Sequence, residues 1–250
     1  MLVVVSAMGW AAVAAYTQDF ESMAPPSPGA LLGDNWLVFA NVYDPAGTYL
    51  YGYGPFQAPN DGAAFCAIAT GQGGPAQGDQ QLSVYSDYNN PDHGLGRLIE
   101  SNVFQEQTIE AADAGTTVVF TFDAKLGNLE GASEAEAFIK TLDPAAGYAI
   151  TNHVTIDMTT VPATWSTCSL QLALDGGLVG QILQFGFTTL ASNYEASGVY
   201  YDNVTFEAML FVDGFESGDL SRWSDWRFDI GSFVQGSTSN TRVPMMRGLS

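Results

Sequence analysis

The stretch TTVVFTFDAKL, from Thr116 to Leu126, sets Val118, Phe120, Phe122, Ala124 and Leu126 on one side of an extended chain and Thr117, Thr121, Asp123 and Lys125 on the other. A period of two residues belongs to a β-strand with one buried face, and a helical period of 3.6 cannot produce it. EAEAFIKTLD repeats the pattern, with Ala135, Ala137 and Ile139 opposite Glu134, Glu136 and Lys140. WSTCSLQLAL, QILQFGFTTL and GVYYDNVTFE extend the series, and Gly, Pro, Asn and Asp punctuate the intervals. Strands at short, regular spacing, each with one apolar face, predict an all-β fold: a two-sheet antiparallel β-sandwich, or jelly roll, over residues 16–209.

Charge narrows the partners. The formal net charge is −20, and between Gln18 and Glu207 the only basic residues are Arg97, Lys125 and Lys140. Nucleic acid is excluded as a partner, because neutralising phosphates takes clustered Lys and Arg. Acidic polysaccharides and anionic lipid surfaces are repelled unless cations bridge them, whereas divalent cations are attracted. His93 and His153 are the only histidines, without the spacing of a zinc site.

The ends differ from the middle. Residues 1–15 are apolar apart from Ser6 and close on Ala12-Val13-Ala14-Ala15, which predicts a secretory signal peptide, shortened because the usual Lys or Arg before it is missing. The run is shorter than the roughly 20 residues that span a bilayer, so no membrane span is expected after cleavage. Residues 210–250 carry the remaining arginines, and DGFES at Asp213 to Ser217 echoes QDFES at Gln18 to Ser22. That segment reads as a tail or as the truncated start of a second module. Two cysteines, Cys66 and Cys168, lie in strand candidates; a secreted setting permits a disulfide between them, and two separate buried thiols is the other reading.

DFES followed by Trp36, the strand VVFTFDAKL, WSTCS and the closing SGVYYDNVTFE together resemble the calcium-containing β-jelly-roll carbohydrate-binding modules, of the galactose-binding-like group, found on secreted bacterial polysaccharide-degrading enzymes. The resemblance covers roughly Gln18 to Glu207. It implies that the first and last strands lie side by side and that a structural Ca²⁺ ties them together, with Glu21 and Asp202 as carboxylate ligands and Asp19 and nearby carbonyls as further oxygens. Residue chemistry points the same way. Counting alternate residues places Asp202 in one row with Tyr200, Val204 and Phe206, where an unpaired carboxylate costs several kcal/mol, and few cations are available to pair with it. Ca²⁺ takes 6–8 oxygen ligands in flexible geometry.

TYLYGYGPF carries Tyr49, Tyr51 and Tyr53 at alternate positions, so all three are expected on one face. Flat, hydroxyl-tipped rings suit stacking on sugar faces, and Trp36, Tyr85 and Tyr88 join them as candidate ligand-binding residues. The loop SDYNNPDHG reads as a solvated turn. Glu134 and Glu136 fall on a polar strand face, where solvated charges are expected, and no nucleophile elbow or phosphate loop appears. The expected function is therefore a secreted, non-catalytic, calcium-stabilised carbohydrate-binding module that meets polysaccharide by aromatic stacking, within a larger multidomain protein. The alternative is an adhesive or surface-matrix domain without a sugar site, and the third reading is a jelly-roll glycoside hydrolase or lyase.

Overall fold

The computed structural model describes residues 13–25 and 27–209. The leader expected over residues 1–15 falls mostly outside them, as does the segment 210–250. At the start of the described residues Val13 is buried and its amide donates to Asp113 at 3.0 Å.

Twelve strands follow one another with short 3₁₀ turns between them: β1 (Tyr16–Gln18), β2 (Leu37–Tyr43), β3 (Tyr49–Gln57), β4 (Cys66–Thr70), β5 (Gln80–Val84), β6 (Leu98–Thr108), β7 (Thr117–Leu126), β8 (Glu134–Asp143), β9 (Ala149–Asp157), β10 (Ser166–Ala173), β11 (Ile182–Ala191) and β12 (Val199–Met209). They form two antiparallel sheets of six strands. The first runs β10-β7-β12-β5-β4, with β1 also paired to β12; the second runs β3-β2-β6-β11-β8-β9. The expected sandwich is what the chain forms. Among the described residues no helix is long and apolar enough to cross a membrane.

The sheets meet through aromatic rings supplied by the alternating rows. Phe185 of β11 stacks on Phe206 of β12 at 3.8 Å, and Phe187 stacks on Tyr201 at 3.6 Å. Phe120 and Phe122 of β7 pack against the same phenylalanines from the first sheet. These side chains are fully buried, so each removes the whole of a large apolar surface from water and adds offset-stacking energy to it. Trp36, one of the proposed sugar-binding rings, belongs here. It is 0% exposed, stacks on Phe187 and donates its indole N–H to Tyr16 and Asp34, so it is a core residue and cannot meet a ligand.

The cysteines do not pair. Cys66 lies in β4 and Cys168 in β10, at opposite ends of the first sheet, and both are free. Four strand spacings of about 4.8 Å separate them by roughly 19 Å, against the ~7 Å limit between α-carbons in a disulfide. Burial pushes both thiols up from their ordinary range, which makes them unreactive.

Two bulges redirect side chains that simple alternation had placed. In β12 the register to β7 shifts between Asp202 and Thr205, and Asn203 takes the left-handed conformation at φ 47°. Val199 and Tyr201 face the core before the bulge, Val204 and Phe206 after it. Asp202 pairs with Asp123 and therefore shares the outer face, not the core row expected for it. In β3 the register to β2 shifts at Leu50, so Tyr49 pairs with Tyr43 on the outer face while Tyr51 and Tyr53 pair with Val42 and Ala40 on the inner one. The three tyrosines do not share a face.

Candidate functional site

Two places concentrate polar chemistry. The first is the β12 bulge. On one side β12 pairs with β5 over Val199–Tyr201 and then with β1 over Val204–Phe206, which leaves Asp202 and Asn203 in the gap between the two partners. Asp202 is fully buried there. Its Oδ1 accepts the Asn203 amide at 2.6 Å, while Oδ2 has no partner. Burial, together with Glu21, Asp123 and Asp19, raises its carboxyl from 3.8 to about 7. A loop covers the gap: Asn203 donates to the Ala76 carbonyl and to Asp123, and Gln77 donates to Asp123. Glu21, just past β1, accepts the amides of Asp79 and Gln80, each at 2.8 Å.

The first and last strands therefore do lie side by side, as the sequence resemblance implies, and the charges of Glu21 and Asp19 are felt by Asp202 at their junction. The donor set is all oxygen and all acidic. An orphaned, buried carboxylate oxygen with only carboxylates for charged neighbours fits an oxygen-seeking divalent cation. Among the described residues no three His, Cys, Asp or Glu side chains already converge as a metal-binding group, so carbonyl oxygens of the surrounding loops belong to any shell formed here.

The second place is the outer face of the β3-β2-β6-β11-β8-β9 sheet. Register lines its outward residues into rows: Asn41, Glu100, Leu190 and Glu134; then Phe39, Asn102, Thr188 and Glu136; then Phe104, Gly186 and Phe138; then Glu106, Gln184, Lys140 and His153. The face is recessed, since Phe104 and Phe138 are buried although they point away from the core. Gly186 lies between them, and a β-carbon there would come within 2.2 Å of the Val103 carbonyl. Two adjoining cavities, of about 280 and 590 Å³, run across this face and share Asn41, Lys140 and Ile150.

The cavities differ in lining. The smaller is polar, with Tyr43, Glu100, Asn102, Glu136 and His153. Glu100 takes three hydrogen bonds, from Asn41, Tyr43 and Asn102, each at 3.0 Å. Burial raises the carboxyl of Glu136, with His153 pulling the other way. The larger cavity is apolar, with Phe39, Phe104, Leu142, Ile150 and Ile182 beside Tyr148, which stands 61% exposed at the rim. The β8–β9 turn sets that tyrosine: Asp143 accepts the Ala145 amide, and Gly147 and Tyr148 turn the chain at φ 69° and 64°.

The tyrosines singled out in the sequence lie elsewhere. Tyr49 is 56% exposed and meets Tyr43 edge-on at 5.9 Å, which places it beside the groove. Tyr51 and Tyr53 are turned to the 86–95 loop, donating to Asp92 at 2.7 Å and Asp87 at 2.6 Å. Tyr85 and Tyr88 stack on each other at 6.1 Å and donate to the carbonyls of Asp61 and Glu195. None of these five lines the groove. The 86–95 loop is no solvated turn either: Asp87, Asp92 and His93 are buried, and Arg97 pairs with Asp92 at 2.8 Å.

Phe39, Phe104, Glu100, Asn102, Glu136, Lys140 and Tyr148 were the groove residues missed in the sequence. A signal existed. Phe39 stands in one row with Asn41, Phe104 with Glu100, Asn102 and Glu106, and Phe138 with Glu134, Glu136 and Lys140, and a phenylalanine among polar outward residues marks a recess.

These features define an all-β sandwich with an acidic strand junction and a long groove across one sheet. No protein-family model matches the sequence, and no curated protein matches it. Among solved structures, the fold is similar to a tailspike protein of bacteriophage CBA120, with 14% identity over 75% of this chain and a TM-score of 0.43, although only 21% of the tailspike chain is covered. It is similar to a xylan-binding domain of Paenibacillus barcinonensis Xyn10C, with 10% identity over 78% of this chain and 93% of that one, at a TM-score of 0.43. A Stig cyclase from Fischerella sp. TAU matches at 13% identity over 78% and 98% of the two chains, with a TM-score of 0.42. These are distant likenesses of fold.

Proposed function

We propose that this chain is a secreted, non-catalytic carbohydrate-binding module, whose groove receives a polysaccharide and whose β1–β12 junction holds Ca²⁺. The observation that carries the reading is the groove itself. Two adjoining cavities of about 280 and 590 Å³ set fixed hydrogen-bonding groups beside apolar and aromatic walls, which is the pairing that sugar hydroxyls and C–H faces require. Glu100, held by three donors, and Asn102 act as positioned acceptors and donors. Tyr43 and Tyr148 supply flat faces at the two ends. The acidic lining favours neutral sugars over uronates or sulfated ones.

At the junction, Asp202 would anchor the ion, with Glu21 and Asp19 as further carboxylates. Bound Ca²⁺ supplies charge neutralisation and a crosslink between the first and last strands, away from the groove. Attachment to a larger extracellular protein belongs to the same proposal.

The test is binding to a panel of neutral and uronic polysaccharides, by affinity electrophoresis, with and without EDTA. Retardation by at least one neutral polysaccharide is expected, weakened severalfold in Tyr148→Ala. If nothing on the panel retards the protein, the sugar reading fails. The exposed apolar edge strand β3, with Tyr49 at 56% and Phe56 at 54% exposure, then favours the surface-matrix reading through edge-to-edge assembly.

A further inference from the structure

Lys140 stands where the two cavities join. It lines both, and its Nζ lies 4.4 Å from the centroid of the Phe138 ring and 5.8 Å from that of Phe104, while donating to Asn102 at 3.2 Å. The titratable groups around it are Glu100 and Glu106 from β6, Glu134 and Glu136 from its own strand, His153 from β9, Tyr43 from β2 and Tyr148 from the β8–β9 turn. β11 faces it with Gln184, Gly186 and Thr188, none of them charged. Only two lysines occur in the whole sequence, and the other, Lys125, lies on the opposite sheet with its Nζ on the Gln72 carbonyl at 2.6 Å and over the rings of Trp165 and Tyr200.

A polar surface face has no need of an ammonium set on two buried rings. We propose that Lys140 is a reactive amine that captures aldehydes entering the groove, forming an imine at Nζ while the body of the aldehyde rests in the adjoining cavity. The step balances without an added reagent. Neutral Nζ adds to the carbonyl carbon, the carbonyl oxygen departs as water with both amine hydrogens, and a C=N bond replaces C=O; nothing is oxidised or reduced. Burial favours the neutral amine this needs, pushing Lys140 down to about 8 against the pull of Glu100 and Glu106. At pH 7 such an amine is neutral about 200-fold more often than an ordinary lysine near 10.4. The aldehyde has two sources, a free apolar aldehyde filling the Phe39–Leu142–Ile182 end and the open-chain reducing end of a bound sugar.

The test treats the full chain with benzaldehyde or with cellobiose in the presence of cyanoborohydride, which fixes an imine as a stable secondary amine, and maps the product by peptide mass. Label at Lys140 is expected to exceed label at Lys125 at least tenfold at pH 7, with a half-maximum near pH 8. Glu106→Gln removes a charge that favours the ammonium, so its half-maximum moves to lower pH; a thermal melt checks that the variant is folded. Labelling by benzaldehyde alone assigns the site to free aldehydes, and labelling by cellobiose as well assigns it to sugar reducing ends. Equal labelling of the two lysines, or none at Lys140, overturns the proposal. Because benzaldehyde needs no sugar affinity, failure of the polysaccharide panel leaves this result independent.

Discussion

Replacing Asp202 with Asn separates the two fates open to a buried carboxylate. Without metal, the folded protein holds the Asp202 proton up to about pH 7, whereas an unfolded Asp releases it near 3.8. Between those values the folded state binds more protons, so stability conferred by the neutral form is full below pH 3.8 and is lost as pH rises through 7. At 1.36 kcal/mol per pH unit the interval amounts to ~4 kcal/mol at most. Asn is the neutral isostere and leaves a side-chain oxygen for the Asn203 amide. In EDTA at pH 8, Asp202→Asn is expected to be more stable than the parent by ~2–4 kcal/mol, a rise in melting temperature of about 4–16 °C for a domain of this size. With Ca²⁺ the gap closes. A ligand at 100 times its Kd adds about 2.7 kcal/mol to the parent, and the variant, lacking the anionic anchor, gains nothing. The assay is a matrix of thermal melts at pH 4 to 8 in EDTA and in millimolar Ca²⁺, read as the difference between the two proteins so that other carboxylates cancel. Equal melting of parent and variant in EDTA at pH 8 refutes the burial argument. A Ca²⁺-dependent rise of the same size in both refutes the metal site.

Three further outcomes follow from the packing. Phe187→Ala removes a ring stacked at 3.6 Å on Tyr201 and is expected to cost about 3–5 kcal/mol in urea unfolding. His93 is fully buried between the rings of Tyr88 and Tyr194, with Nε2 on Ser86 and Nδ1 unpartnered, and burial lowers its pKa below 6.5. The unfolded chain therefore takes up the proton first, stability falls as pH drops below 6.5, and His93→Gln should flatten that limb of the profile relative to the parent. Thiol titration should find two free cysteines in denaturant and almost none in the native protein, with melting unchanged by reductant.

The distant-strand chemistry was partly legible. A DFES start and a carboxylate in the closing strand together pointed to β1 and β12 lying side by side, because the two strands carry their own markers. The same reasoning misplaced Asp202 within β12 and Tyr49 within β3. In each case one bulge residue, Asn203 or Leu50, shifts the alternation by one and turns the side chains that follow it to the other face, in β3 until a second shift between Tyr53 and Phe56 reverses it.

Alternation along single strands was enough to decide the all-β sandwich, since a period of two buries one face whatever the partners are. Strand order, register and curvature were not written locally. They depend on which edges find one another across more than a hundred residues, and they alone bring Asn41, Glu100, Glu136 and Lys140 from β2, β6 and β8 onto one recessed face. Sequence position says that each of these side chains points outward. Only the neighbouring strands decide that outward, here, means into a groove.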